Sequence, residues 1–513
     1  MAQHLAQRGH PVGDVYAGGD GEEGVWKEVR PNTDISEAET YDALIIGSGP
    51  NGLSAAIRLA QAGLSVLVLE GHETIGGGTR TGELTNSGYT HDICSAIHPL
   101  GLASPFLRKL PLAQFGLEWV HPDAPFAHAL DPNDPILIHQ NLDTTAHALG
   151  ADGRAWKRLF APFVEHWQAL MDDFLGPLPI PPKHPILMTR FGLTALQSAT
   201  GLARRTFRGE RARAAFGGMA AHCMMPLEWS TVGGFGMMLG VLAHAVGWPM
   251  AKGGSQQIAN AMAAYFCSLG GKIITGTKVT SLDQLPPAKA ILFDTSPKGV
   301  LSIAGDRLAP SYARQLKTYR YGTGVCKVDW ALSEPIPWKS PEFAKAATVH
   351  IGGSLEEMSI SERVIWEGKF SERPYVLLVQ HSLFDPTRAP AGKHTAWAYC
   401  HTPHGAREDV SGLIEQQIER FAPGFREVVL AKSVRTAVQM EAYNPNYIGG
   451  DINGGVQNLR QFFTRPAIQW NPYRIPGNFG GAKAYLCSSS TPPGGGVHGM
   501  CGFYAAEAVI RDW

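Results

Sequence analysis

The chain has 513 residues, 44% hydrophobic and 17% charged, with 44 basic against 45 acidic side chains and a formal net charge of -1. That balance provides neither a field for nucleic acid nor an acidic tail, and the length allows two domains or more. The seven cysteines (Cys94, Cys223, Cys267, Cys326, Cys400, Cys487 and Cys501) are scattered without a C-x-x-C pair. This supports neither a zinc ribbon nor a thioredoxin-type motif, argues against the close cysteine pair of a flavin disulfide reductase, and suits reduced thiols in a cytosolic protein.

Residues 1–40 are polar and lack an apolar signal core, so a poorly ordered leader or a surface arm is expected. The organising stretch is 42–80. Ala43 to Ile46 is a short apolar run bounded by glycine, which predicts a buried parallel strand. Gly47, Gly49 and Gly52 follow at G-x-G-x-x-G spacing and enclose Ser48, Pro50 and Asn51. The first glycine permits a tight turn, the second a close pyrophosphate, the third helix-on-strand packing. Leu53 to Ala62 predicts a helix whose free N–H groups face the phosphates, with Gly63 at its end. Ser65 to Leu69 predicts a second strand, closed by Glu70, about twenty residues past the glycines, where an acid accepts ribose hydroxyls. Strand, turn, helix, strand and acid in this order predict a dinucleotide-binding unit.

After Glu70 come Gly76, Gly77 and Gly78, then Thr79 and Arg80. A second glycine turn with an arginine behind it resembles the FAD-containing amine oxidase and phytoene desaturase superfamily. The resemblance implies that Gly77, Gly78 and Thr79 run under the pyrophosphate of FAD, with Arg80 near the phosphates or the isoalloxazine.

Further on, a helix is predicted from Ser104 to Leu110, and His98 reads as a structural histidine. The DPNDP turn at 131–135 separates two strand-like runs. Residues 152–175 carry an apolar stripe typical of a core helix. A Pro-rich run from Pro177 to Pro182 marks a boundary. Residues 186–217, rich in arginine, read either as a solvated helical face or as a basic amphipathic helix for an anionic membrane. Trp229 to Ala251 lacks formal charge but holds five glycines, which favours a buried, pocket-lining helix pair over a membrane span. A helix then runs to Leu269, and Lys272 to Leu282 carries strand signals. By resemblance, this segment returns to the FAD domain, with the Val279 backbone at the adenine. Ala290 to Phe293 predicts a strand ending near Ser296 by the flavin cleft. Residues 300–470 mix strands with one strong helix, Ser411 to Phe421, and read as an α+β block. Tyr443, Asn444, Tyr447, Asp451 and Asn453 either line a ligand cavity or form turns.

The last segment, SSTPPGGGVHGMCGFYAAEAVIRDW, resembles the C-terminal FAD signature of the phytoene desaturase branch. The expected architecture is α/β: a Rossmann-like FAD-binding domain from both chain ends (41–125, 249–300 and 471–513). An α+β substrate domain with a helical subdomain (126–248 and 301–470) is inserted. The expected function is FAD-dependent hydride transfer to or from a hydrophobic, isoprenoid or lipid-like substrate. Oxygen, a quinone or another acceptor takes the electrons, because no second G-x-G-x-x-G marks an NAD(P) domain. His498 is the acid/base candidate, Gly499 and Met500 start a helix aimed at the flavin edge, and Tyr443, Tyr447 and Asp451 are substrate-pocket candidates. No metal and no nucleic acid are expected, and the protein is placed in the cytoplasm, with or without peripheral membrane contact. The rivals are a flavin amine oxidase, with Lys327 as its water-holding lysine, and a flavin-stabilised interaction protein without turnover.

Overall fold

The first apolar run becomes the strand Tyr41–Ile46, one of the two central strands of a six-stranded sheet. The computed structural model describes residues 40–177 and 181–513; the expected leader, and Leu178 to Ile180 of the Pro-rich run, lie outside the described residues. From one edge the sheet runs Arg474–Phe479, Ala482–Leu486, Ala288–Phe293, Tyr41–Ile46, Val66–Leu69, Lys272–Ile274. All neighbours are parallel except the first pair. Their near-continuous apolar sequence is what two covered faces require. Ile46 lies beside both Phe293 and Leu69, so the carboxyl ends of three strands finish together. Gly47, Asp294 and Glu70 therefore meet at one sheet edge, where open α/β sheets place their ligands.

The fingerprint helix Pro50–Gln61 packs on the C-terminal helix Met500–Asp512. A Cβ on Gly502 would lie 1.8 Å from the Asn51 carbonyl oxygen, so only glycine permits this crossing. The last segment thus adds both a strand and a covering helix to the sheet that begins at Tyr41.

A second sheet has seven strands in the order Val429–Arg435, Gly324–Leu332, His394–Thr402, Val376–Val379, Ala346–Ile351, Ala124–Asp131, Asp134–Ile138. It is antiparallel except where Ala346–Ile351 meets Ala124–Asp131. The two-residue period of a strand divides its side chains. Val376, Leu378, Ala396, Ala398 and Cys400 enter a core with Ile414 and Ile418. Leu377, Val379, Trp397 and Tyr399 face the other way, into a large cavity.

Several expected elements have different bounds. The helix begins at Pro99 and ends at Ala103, because Pro99 suits a first helical position; Ser104 then turns the chain by accepting from the Phe106 and Leu107 N–H groups. The helical stretch 152–175 is broken at His166 into Gly153–Val164 and Trp167–Phe174. The arginine-rich stretch is three helices: Pro185–Ala195, Ala199–Thr206 and Glu210–Ala221. Ser198 caps the second, and Asp152 takes the Arg208 and Gly209 N–H groups before the third. Arg204 and Arg211 pair with Glu356 and Asp134. The uncharged run is one buried helix, Val232–Ala245, not a pair; its glycines admit the rings of Phe216 and Phe160. The strand after Gly271 stops at Ile274, because Gly276 and Thr277 turn back to bond the His72 and Glu70 carbonyls.

Candidate functional site

The glycine turn is held by two carboxylates. Glu70 Oε2 accepts from the Ser48 N–H at 2.9 Å and the Ser48 hydroxyl at 2.6 Å. Its Oε1 accepts from the His72 N–H at 2.9 Å and from Arg80 at 3.0 Å. Arg80 is further fixed by Nε donating to the Thr74 carbonyl and lies 5.9 Å from the Tyr443 ring centroid. Arg80 is thereby placed at the acid that closes the second strand.

Asp294 is the second carboxylate, and the sequence reading missed it. Its Oδ2 accepts from the Gly52 N–H at 3.0 Å. A Cβ on Gly49 would lie 2.6 Å from that oxygen, and one on Gly52 2.2 Å from the Gly47 carbonyl oxygen. Gly49 therefore makes room for an internal carboxyl as well as for a ligand. One helix N–H that the sequence reading left free for phosphate is taken, and Pro50 has none to offer. Burial pushes the Asp294 carboxyl up to about 7 against the hydrogen bond from Gly52, and the neighbouring Glu70 adds to the rise. The second glycine turn stacks on the first: the Gly76 N–H donates to the Ser48 carbonyl, and a Cβ on Gly77 would lie 3.0 Å from the Gly49 Cα.

From this turn a cavity of about 1590 Å³ opens. A single small-molecule site occupies roughly 300–1,000 Å³, so this one has room for a dinucleotide and a second ligand. Gly47, Ser48, Gly49, Pro50, Asn51, Glu70, Gly77, Gly78, Arg80, Val279 and Ser296 all line it, together with Asp294. Ser488 to Ser490 and the loop Pro493, Gly495 to His498 close another side. The remote walls are mainly apolar, including Phe191, Phe235, Met238, Trp248, Leu377 and Trp397.

Other expected residues take different roles. Gly52 and Thr79 do not line the cavity; Gly52 binds Asp294, and the Thr79 hydroxyl donates to the Gly76 carbonyl. His498 is on the wall, but its ring is occupied: Nδ1 accepts from the Met500 N–H at 3.0 Å and Nε2 donates to the Gly494 carbonyl at 3.2 Å. Burial pulls it down to about 4, so it is a neutral brace of the loop, which argues against an acid/base role. The same bond removes the Met500 N–H from any flavin edge, and neither Gly499 nor Met500 reaches the cavity.

Tyr443 and Tyr447 line the cavity beside the second glycine turn. The ring of Tyr443 contacts His72 and Arg80, and the Tyr447 hydroxyl lies 2.5 Å from where a Gly78 Cβ would stand. Asp451 is off the cavity and anchors a turn by accepting from Gly322, Asn453 and Gly455 N–H groups. Lys327 is buried behind Trp397, 5.8 Å from its ring centroid, and is ion-paired with Asp329. Burial lowers its basicity, and it lies off the cavity wall, unlike the lysine an amine oxidase reading expects. His98 bonds the Ser255 hydroxyl at 2.8 Å, while its Nδ1 lacks a partner. All seven cysteines are free. Among the described residues no cluster of metal-ligating side chains is found.

Comparison with known proteins agrees with this geometry. The NAD(P)-binding Rossmann-like domain matches residues 45–110. The chain is 24% identical to pyridine nucleotide-disulfide oxidoreductase domain-containing protein 2 of Rattus norvegicus, across 95% of this chain and 96% of the relative. It is 23% identical to the lycopene-forming phytoene desaturase of Paracoccus sp., across 91% and 96%. The fold is similar to that of putrescine oxidase bound to putrescine, with a TM-score of 0.60 at 16% identity, covering 92% of this chain and 99% of that one. These likenesses fit a dinucleotide-binding oxidoreductase of the amine oxidase and phytoene desaturase superfamily. Within that superfamily, the likeness along nearly the whole chain to phytoene desaturase is consistent with the phytoene desaturase-like branch.

Asp294 gives a pH prediction. Its folded pKa, about 7, lies above the ordinary 3.8, so its contribution is fully present below pH 3.8 and is lost as pH rises through 7. Chemical denaturation of the ligand-free protein should show wild type losing up to about 4 kcal/mol relative to Asp294→Asn between pH 4 and 7. A pH-independent difference between the two would refute the assignment.

Proposed function

We propose that this protein is an FAD-dependent oxidoreductase that moves a hydride between flavin and a hydrophobic, isoprenoid- or lipid-like substrate. The observation behind this reading is one cavity that joins the glycine turn and Glu70 to the apolar face of the seven-stranded sheet. The residues present fit FAD. Both glycine turns offer backbone without side chains, Glu70 can accept a ribose hydroxyl in exchange for the Ser48 hydroxyl, and the cavity is larger than one ligand needs. When bound, FAD supplies hydride exchange at its isoalloxazine ring. The chain's own part is to bind, orient and keep water out. The 488–498 segment would wall the ring, and Leu377, Val379, Trp397 and Tyr399 would pack on the substrate. The whole-chain likeness to phytoene desaturase supports the apolar substrate.

Glu70→Ala removes an acceptor for the ribose and releases Ser48 and Arg80. FAD titrated into the apo-protein should bind about ten- to a hundredfold more weakly than to wild type, from the loss of charged hydrogen bonds of roughly 1.5–3 kcal/mol. Equal affinity in a folded variant would remove Glu70 from the site.

Oxygen, a quinone or another carrier accepts the electrons, because the described residues hold one dinucleotide turn and no second fingerprint. Stopped-flow mixing of the flavin-loaded protein with NADH or NADPH should give no fast bleaching; saturable reduction at catalytic rates would overturn this.

The cavity mouth touches a membrane surface peripherally. No helix of the described residues is long and apolar enough to cross a bilayer. The uncharged run is buried, so the surface is instead the helix Pro185–Ala195, where Ile186 is 79% and Leu193 68% exposed. Phe174 contacts both Phe191 and Phe462, which brings exposed Phe463 alongside. Arg190 and Arg460 supply positive charge nearby. The protein should float with anionic liposomes at low salt, and a double Ile186→Ser, Leu193→Ser variant should bind at least about tenfold more weakly. Failure of wild type to float would exclude the contact.

A further inference from the structure

Three histidines from three elements stand in a row that runs inward from the cavity wall, His128 and His350 buried and His222 partly exposed to the cavity. His222 follows the helix Glu210–Ala221, His350 is in the strand Ala346–Ile351, and His128 is in the adjacent strand Ala124–Asp131, paired in register with His350. His222 lines the cavity. Its Nε2 lies 2.9 Å from His350 Nε2. His350 Nδ1 and His128 Nδ1 have no hydrogen-bond partner, and both would lie within 2.8 Å of a Cβ on Gly218. The far end of the row is fixed: His128 Nε2 lies 2.8 Å from the Gly353 carbonyl oxygen.

A carbonyl can only accept, so His128 carries its proton on Nε2 and turns a lone pair on Nδ1 toward Gly218. His350 Nδ1 stands beside Gly218 too, with no hydrogen bond between the two nitrogens. A second lone pair there would repel that of His128 in a dry interior, so the favoured His350 tautomer carries Nδ1–H. Its Nε2 is then an acceptor, and His222 must donate to it from Nε2. One tautomer remains for neutral His222: a bare Nδ1 with no intramolecular hydrogen bond, and Nδ1 is absent from the fully buried unsatisfied atoms. Burial keeps the row uncharged, holding His222 at about 3, His128 at about 4, and His350 well below the ordinary imidazole range.

The groups facing this row from other elements leave that acceptor free. Glu362 is bound to His401 at 2.7 Å, the Tyr375 hydroxyl donates to the Gly218 carbonyl at 2.9 Å, and Trp248 presents its ring edgewise at 5.4 Å. The cavity carboxyls Glu70 and Asp294 belong to the glycine turn, and Glu441 is paired with Lys298 at 3.0 Å. A substrate ammonium would thus have no free carboxylate beside His222, whereas a neutral O–H donor would match one bare nitrogen in an apolar wall.

We propose that His222 Nδ1 is a specificity-determining acceptor that selects an apolar substrate bearing a hydroxyl group, with His350 and His128 as positioning residues. The assignment rests on the reading that this cavity takes an apolar substrate. Two measurements on the cofactor-loaded protein test it. Nitrogen-15 spectra of histidine-labelled protein should show Nδ1 of His222 unprotonated and Nε2 protonated. Calorimetric titration should show 1-octanol binding about tenfold more tightly than octyl methyl ether, which cannot donate. His222→Phe should abolish that preference, and His222→Asn, whose amide oxygen can stand where Nδ1 stood, should keep most of it. A preference that survives in folded His222→Phe, or a protonated Nδ1 in the spectra, would overturn the assignment. Failure of both probes to bind wild type would instead overturn the apolar-substrate reading and remove the substrate assignment with it, leaving the tautomer result to stand apart.

Discussion

The constraint on which the rest depends is the close approach of two carboxylates to one turn. Glu70 and Asp294 come from the ends of strands on either side of Tyr41–Ile46, and both accept backbone N–H groups of the segment 48–52. Each glycine there removes a clash with a neighbour: Gly47 and Gly49 with Asp294, Gly52 with the Gly47 carbonyl. The turn is thereby shaped from inside the protein before any ligand arrives. That pre-organisation has an electrostatic cost, visible in the raised pKa of Asp294. A buried carboxyl beside another acid remains neutral more readily than an exposed one.

The second sheet supplies the complementary half. A strand presents alternate side chains to opposite faces. The same strands can therefore bury Val376, Leu378, Ala396 and Ala398 in a core and offer Leu377, Val379, Trp397 and Tyr399 to the cavity. This division puts polar, backbone-rich chemistry at one end of the cavity and an apolar wall at the other. Charged groups behind the wall, such as Lys327 with Asp329, are paired among themselves rather than presented to a ligand.

Local features were legible in the sequence. The unit from Tyr41 to Glu70 is contiguous, so period, glycine spacing and acid identified it, and the structure places each where expected. The terminal strand and helix were legible for the same reason. Asp294 was not, because its role follows from the pairing of Phe293 with Ile46, set by a register across more than two hundred residues of chain. His498 and Asp451 stayed open to two readings because a polar residue in a Gly-rich loop has the same sequence signature whether it faces a ligand or ties its own backbone. The row His222, His350, His128 comes from three separated segments, with no spacing pattern to announce it.

The pairing of the first helix with the last has a consequence for biosynthesis. A ribosome releases Pro50–Gln61 long before Met500–Asp512, and the strand Ala482–Leu486 that borders Ala288–Phe293 also emerges late. Until then Ala55, Ala56 and Leu59, all fully buried in the finished protein, lack part of their cover, and the nascent sheet ends at Ala288–Phe293 with an open edge. Such contacts between distant segments make folding slow, and uncovered strand edges invite association between chains. Production of this protein is therefore expected to depend on chaperones during synthesis, and to be more sensitive to changes within its last thirty residues than to changes on the loops between its strands.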